Sequence, residues 1–294
     1  STQMHYSHTP DHVLTYVSPQ CRQFLDCEPE EALKHWMDFI TPHPANRLGV
    51  ERTEAAIRTG ERQLPYEMEL ISRKGRKLWV EVHESPVVLK GKTVAIVGSL
   101  TDITVRRRSE HIAECLARLG RELAATTQSG QAALAVADAA QELLGWDACF
   151  LKVRTPDLSR AYHTLRLDMM NGQRVQFPED DGDGITPIEQ RVMDQGRQII
   201  LREPGTADVL VPFGDKTRAS ASLLFVPLRH HGRYIGVFTI QSYEYRVYDQ
   251  AALDLLQTLA DHAVGALERI RAENDLIERE QRYRCIGANA KADR

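Results

Sequence analysis

Residues 222–270 have the sequence SLLFVPLRHHGRYIGVFTIQSYEYRVYDQAALDLLQTLADHAVGALERI. Two apolar runs flank the turn sequence His230-His231-Gly232, which is typical of two antiparallel strands joined by a tight turn. The segment that follows keeps apolar residues at spacings of three and four, which predicts a long amphipathic helix continuing past Ile270. No part of this stretch has the pattern of a catalytic site, so it favours a sensor over an enzyme.

Composition places the chain among soluble globular proteins. Its 294 residues suffice for two domains, and it is 42% hydrophobic and 27% charged. A formal charge of −4 gives no electrostatic reason to expect nucleic acid as a partner. The five cysteines are scattered without metal-ligand spacing, and no apolar run is long enough for a membrane span. The sequence therefore predicts a cytoplasmic protein without a membrane-spanning segment.

The first block of the chain, residues 4–104, contains short helical segments followed by three strand patterns. Leu78, Val80 and Val82 alternate with polar or aromatic residues, as expected of a half-buried antiparallel strand. This block resembles a PAS domain. The segments that carry the resemblance are TYVSPQCRQFL (15–25), EPEEAL (28–33), YEMELISRKGRKLWVEVHESPVV (66–88) and VGSLTDITVRRRSE (97–110). In the last segment, an Asp-Ile-Thr triplet precedes basic residues, as at the usual PAS exit into a signalling helix.

The second block, residues 126–268, begins with helices, continues with a strand at 148–154 and a polar stretch rich in Asp and Gly, and ends with the opening stretch. It resembles a GAF domain along its full length. The segments that carry the resemblance are VMDQGRQIIL (192–201), SLLFVPLRHHGRYIGVFTIQS (222–242) and YDQAALDLLQTLADHAVGAL (248–267). The expected fold class is α+β, with two domains that each contain a central antiparallel sheet flanked by helices.

Helical segments join and follow these domains: a connecting helix at 105–125 and a signalling helix at 269–294. The C-terminal helix has an a/d pattern over more than three heptads. Its members are Leu253, Leu256, Ala260, Ala263, Leu267, Ile270, Asn274 and Ile277. Asn274 occupies an a position, which favours a parallel homodimer. The alternative is that residues up to Leu267 face the sheet of their own domain, and we expect both arrangements. The signalling helix is expected to lead to an output domain, as in a sensor histidine kinase.

The resemblances imply that each domain holds a sheet-lined pocket for a small ligand or a partner. Aromatic residues on the predicted strands and helices are the candidate pocket residues: Trp36, Tyr66 and Trp79 in the first domain, and Phe150, Phe225 and Phe238 in the second. Because strand residues alternate between faces, about half of this set should be ordinary core. The competing hypothesis is a dimerisation and spacer module whose pockets are filled by its own side chains. The sequence does not identify the ligand, and it therefore does not identify a cofactor.

The sequence gives little support for the better-known activities and ligands of PAS and GAF domains. His111 lacks the pattern that follows a phosphoacceptor histidine, and no nucleotide-binding motif is present. Gln241-Ser242 and Asp249 replace most of the motif associated with cyclic nucleotides, and Asp249 fits a helix N-cap equally well. No cysteine occurs between Cys149 and Cys285, where a bilin attachment would be expected. We therefore predict a non-catalytic sensory region.

Metal and haem sites are also disfavoured. The haem candidates His43, His163 and His262 are each better explained as structural or solvated residues. The acidic run at 179–184 has Gln190 where a calcium loop needs its last glutamate, so a solvated loop is the better interpretation.

Overall fold

A computed structural model describes residues 3–155, 160–178, 184–204, 215 and 217–292. The chain divides into two compact units, Ser1–His111 and Ile112–Arg294. Each contains an antiparallel sheet flanked by helices, as the fold-class prediction states. Among the described residues, no helix is both long and apolar enough to span a membrane.

The first unit is built on a five-stranded sheet with strand order β2-β1-β5-β4-β3, in which all neighbours are antiparallel. Its elements are β1 (Gln3–His8), β2 (Leu14–Val17), α1 (Cys21–Phe24), α2 (Pro29–Ala32), a 3-10 helix (Trp36–Phe39), α3 (Ala45–Thr59), β3 (Tyr66–Ile71), β4 (Lys77–Leu89) and β5 (Lys92–Asp102). Helix α4 (Thr104–Ala125) begins directly after β5.

Local sequence explains the ends of these elements. Gly60 ends α3 in the left-handed conformation, at φ 69°. Lys90 and Gly91, with φ values of 50° and 76°, form the two-residue turn between β4 and β5. Strand β1 was not among the predicted strands. Its inward positions include Tyr6 and His8, so its sequence lacks the aliphatic alternation of β4.

The second unit is built on a six-stranded antiparallel sheet with strand order β8-β7-β6-β11-β10-β9. Its elements are α5 (Ser129–Leu144), β6 (Ala148–Arg154), β7 (Ala161–Met170), β8 (Gln173–Gln176), α6 (Pro187–Gln195), β9 (Gln198–Leu201), β10 (Ser222–His230), β11 (Arg233–Ser242) and α7 (Gln250–Ala292). The turn between β10 and β11 is His231-Gly232, as the opening stretch predicts.

Helices α5 and α7 cover one face of the six-stranded sheet, with a large apolar core beneath them. Helix α6 covers part of the other face over a smaller cluster that includes Phe225. The residues at a/d positions from Leu253 to Ile270 are all buried in the large core of this one chain. Asn274 is exposed and Ile277 is 53% exposed. Packing within the domain therefore accounts for the a/d residues up to Ile270. It does not account for Asn274 and Ile277, whose side chains are exposed.

Candidate ligand sites

A cavity of about 50 Å³ lies in the first unit, between the inner face of the sheet and the segments that cover it. Twelve described side chains line it, nine of them apolar; the other three are Tyr6, Tyr66 and Glu84. Eleven of the twelve are buried, whereas Trp36 is only half-buried. One water molecule needs about 10–15 Å³ of cavity volume, so this cavity has room for roughly three to five water-sized groups.

The polar end of this cavity is the buried carboxylate of Glu84 on β4. The Tyr6 hydroxyl donates to Oε1 over 2.6 Å, and the hydroxyls of Tyr66 and Thr53 donate to Oε2 over 2.8 Å each. The Nε2 atom of His8 lies 3.5 Å from Oε1, at ion-pair distance, and its Nδ1 atom lies 2.6 Å from the Thr9 carbonyl. One carboxylate thus joins β1, β3, β4 and α3.

The protonation of this group is determined by its neighbours. Burial raises the pKa of Glu84, but the contacts from His8, Tyr6, Thr53 and Tyr66 outweigh burial and leave the pKa below its ordinary value. Burial, and secondly the charge of Glu84, raise the pKa of Tyr6 and of Tyr66 well above the ordinary tyrosine value. The site therefore holds one ionised carboxylate surrounded by neutral hydroxyl donors.

Gly98 makes the Tyr6–Glu84 hydrogen bond possible. Strand β5 lies between β1 and β4, and Gly98 is paired with Tyr6 on one side and with Glu84 on the other. A Cβ atom at position 98 would lie 2.5 Å from Cζ of Tyr6. The missing side chain leaves the space through which Tyr6 reaches across the intervening strand.

The three aromatic residues predicted for the first domain occupy different places. Trp36 and Tyr66 line the cavity. Trp79 lies on the opposite face of the sheet, because it alternates with the inward residues Leu78 and Val80 on β4. It packs edge-on against His43, with ring centroids 4.9 Å apart. His43, one of the haem candidates, thus contacts the outer face of the sheet.

Trp79 also contacts the start of α4. The Arg107 guanidinium lies over its ring, 4.0 Å from the centroid, and the Trp79 backbone N–H donates to Oγ1 of Thr104 over 2.9 Å. Arg107 also pairs with Glu67 at 2.7 Å, and Arg106 pairs with Glu67 at 3.2 Å. The first turn of α4 is therefore attached to the outer face of the strands whose inner face lines the cavity.

The candidate residues of the second domain also separate by face. Phe150 and Phe225 lie on the α6 side of the sheet in edge-to-face contact, with centroids 6.4 Å apart. His163 packs against Phe150 at 5.3 Å. Phe238 is fully buried on the other face, in the core beneath α5 and α7. Two of the three residues thus meet on one face of the sheet.

The same face contains a buried ion pair. Nζ of Lys152 on β6 lies 3.0 Å from Oε1 of Glu189 on α6, and both side chains are buried. Glu189 also accepts from the backbone N–H of Thr186 over 2.8 Å, within the capping box that starts α6. This pair joins α6 to the sheet.

The remaining candidates have local structural roles. Asp249 caps α7, since its Oδ1 accepts from the backbone N–H of Ala252 over 2.8 Å. Burial raises the pKa of the Cys149 thiol, which therefore stays protonated in its strand. His262 lies exposed on α7. Glu179, Asp181 and Asp183 lie outside the described residues, among which no cluster of three metal-binding side chains occurs.

Glu84, Tyr6 and His8, which the structure brings together at the cavity, were not predicted from the sequence. One signal was present for Glu84, which continues the inward series of Leu78, Val80 and Val82 on β4. A charged residue at an apolar position of a buried strand is unusual unless it is paired. No comparable signal existed for Tyr6, because β1 was not among the predicted strands.

Comparisons with known families agree with the two-unit architecture. A family model described as "PAS domain" matches residues 5–105, and one described as "GAF domain" matches residues 127–268. A sequence search of the curated proteins finds no match to the chain.

Several solved structures are similar to the chain. The chromophore-binding domain of a bacteriophytochrome from R. palustris is 12% identical, with a TM-score of 0.39 over 92% of this chain and 95% of that one. A free methionine-R-sulfoxide reductase from Neisseria meningitidis is 20% identical, with a TM-score of 0.42 over 55% of this chain and 91% of that one. With TM-scores this low, neither carries the assignment. The family models do: the chain contains a PAS domain followed by a GAF domain, both sensory domains, which gives it a signal-sensing role.

Proposed function

We propose that the chain is a non-catalytic, cytoplasmic sensory region. It binds a small ligand in the cavity of the PAS domain and transmits the occupancy through its helices to an output domain, with a histidine kinase as the expected output. The observation that carries the proposal is the cavity itself, which is apolar except for the Glu84 carboxylate and the hydroxyls of Tyr6 and Tyr66 that donate to it. Most small-ligand sites are apolar cavities with a few placed polar groups.

Strand β4 is the proposed route from the cavity to the helix. Val82 and Glu84 face the cavity, whereas Trp79 faces the first turn of α4 on the other side of the same strand. A ligand shifts a conformational equilibrium only by binding one state more tightly. A change in the pose of β4 on ligand binding would alter the contacts of Trp79 with Arg107, and hence the direction in which α4 leaves the domain.

The proposed homodimer is supported by the last described part of α7. The helix continues to Ala292, beyond the end of the GAF match at residue 268. Ile277 continues the a/d pattern with an exposed side chain, and Asn274 precedes it at an a position. A parallel partner helix would bury both residues in register.

Sedimentation velocity tests the dimer. Wild type is expected to sediment as a dimer, and Ile277→Asp is expected to shift the equilibrium towards monomer by at least about tenfold in dissociation constant, because it buries a charge in the seam. Leu276→Asp is the matched control, since Leu276 is 61% exposed and lies outside the a/d positions. A monomeric wild type, or equal effects of the two variants, would contradict the proposal.

Native mass spectrometry of the same sample tests whether the chain binds a ligand. A bound ligand is expected to appear as a mass above that of the chain alone.

A further inference from the structure

Trp36 is the cavity residue closest to solvent. The other eleven lining residues are buried, whereas Trp36 is half-buried at the start of the 3-10 helix. A ligand can enter only by passing between the lining residues. Among the described ones, Trp36 is the residue that already faces water. What holds Trp36 in place therefore controls access, provided that the cavity binds ligand as proposed above.

One hydrogen bond joins the indole N–H to the segment after β1, beside the packing of the ring against the core and against His8. Nε1 of Trp36 lies 3.2 Å from Nδ1 of His12, and the two rings meet edge-on with centroids 5.6 Å apart. An indole nitrogen can only donate, so Nδ1 of His12 must carry a lone pair. The bond therefore requires a neutral His12. A protonated His12 has N–H groups at both ring nitrogens and cannot accept it.

The groups around His12 favour its neutral form. Burial lowers the pKa of His12, and the neighbouring His8 and His35 lower it further, whereas Glu54 and Glu84 act in the opposite direction. The ring centroids of His8 and His35 lie 5.9 Å and 5.6 Å from that of His12. These groups belong to β1, the segment before the 3-10 helix, α3 and β4. The ring thus stays an acceptor at neutral pH and becomes a donor only below the ordinary histidine range.

We propose that the Trp36–His12 hydrogen bond is a proton-sensitive latch on the PAS cavity, and that the cavity admits a compact, uncharged and largely apolar ligand. While His12 is neutral, the latch holds Trp36 against the cavity. When His12 is protonated, the bond is lost, Trp36 is released, and the cavity opens to solvent.

The ligand class follows from the lining. Glu84 accepts three hydrogen bonds and Nε2 of His8 lies 3.5 Å from it, so little of its acceptor capacity is left for an ammonium group. The same buried negative charge repels an anion. Nine apolar side chains form the rest of the wall. The cavity of about 50 Å³ is smaller than one that holds a benzene ring, for which about 150 Å³ suffices, so a ring-sized ligand needs Trp36 to move.

The test uses the whole chain labelled with ¹⁵N-tryptophan, whose three indole N–H signals belong to Trp36, Trp79 and Trp146. The Trp36→Phe variant assigns the Trp36 signal. Between about pH 8 and about pH 4, this signal is expected to move and to exchange faster with water as His12 is protonated below the ordinary histidine range. Trp146 is the internal control, since its indole donates to the Ala137 carbonyl, which does not titrate in this range.

A second variant separates the latch from unfolding. His12 has a φ of 66°, a conformation that Asn tolerates, and the Asn side-chain oxygen accepts a hydrogen bond at every pH. In His12→Asn, the Trp36 signal is expected to stay unchanged across the same range. A wild-type Trp36 signal that does not move, or that moves equally in His12→Asn, would overturn the latch whatever the cavity binds.

Toluene, benzoate and benzylammonium then serve as a neutral, an anionic and a cationic probe built on the same aromatic ring. Toluene alone is expected to bind, and its dissociation constant should fall by about threefold or more from neutral to acid pH, because a larger fraction of molecules is open. In Trp36→Phe the dissociation constant should not change with pH. Binding of either ion as tight as that of toluene would overturn the ligand class. Binding of no probe, with a Trp36 signal that still titrates, would count against the proposed ligand site and leave the pH response intact.

Discussion

At the scale of single residues, Glu84 determines the character of the PAS cavity. A buried carboxylate normally becomes neutral unless it is well paired. Here the contacts with Tyr6, Thr53, Tyr66 and His8 keep its pKa below the ordinary value despite burial. Since the folded-state pKa is lowered, the resulting stabilisation is complete above the ordinary glutamate pKa. It is lost as the pH falls through the lowered value.

Replacing the carboxylate tests this assignment. Glu84→Gln keeps the shape but removes the charge and places an NH₂ group among hydroxyl donors, so we expect a loss of about 1–3 kcal/mol in the free energy of unfolding. Urea denaturation near neutral pH measures it. Glu51→Gln is the control, because Glu51 is an exposed residue paired with Arg47 and should change stability by at most about 0.5 kcal/mol. Equal effects of the two variants would show that the network contributes no stability.

At the scale of elements, β4 is joined to the first turn of α4 by the contacts of Trp79 with Arg107 and Thr104. Glu67 on β3 pairs with both Arg106 and Arg107, so Glu67→Gln should loosen the first turn of α4. We expect faster hydrogen exchange at 104–111 with a change in global stability below about 1 kcal/mol, since such exposed pairs are individually weak. Glu110→Gln is the control, because it removes only a 3.9 Å contact with Arg106 inside the helix. Unchanged exchange in Glu67→Gln would contradict this role for the ion pairs.

Most elements with strong local patterns were predicted from the sequence, and the exceptions have physical causes. The β10–β11 hairpin has two apolar strands and a His-Gly turn, and both strands lie where the pattern indicates. The β7–β8 hairpin was interpreted as a polar stretch, although its turn, Asn171-Gly172, has φ values of 51° and 75° typical of a two-residue hairpin. Strand β8 lies at the sheet edge and is polar, and in β7 the polar residues His163, Arg166 and Asp168 interrupt the apolar alternation.

At the scale of the whole molecule, two sensory domains follow one another, each with its own sheet and core. The candidate aromatic residues were chosen by type; Trp36 and Tyr66 line the PAS cavity, whereas Trp79 lies on the opposite face of the sheet. That any of the six binds a ligand stays a prediction. The Trp36–His12 contact was beyond prediction, because it joins residues 24 positions apart in a segment without regular periodicity. Residue type indicates candidates, but topology decides which of them meet.

We propose above that occupancy of the PAS cavity changes the contacts of the helix that leaves the domain. Hydrogen exchange of the whole chain, with and without saturating toluene, tests this most directly. We predict slower exchange in β4, which lines the cavity, together with a change at the first turn of α4, where Trp79 and Arg107 meet. Slower exchange confined to the cavity strands, with α4 unchanged, would contradict it.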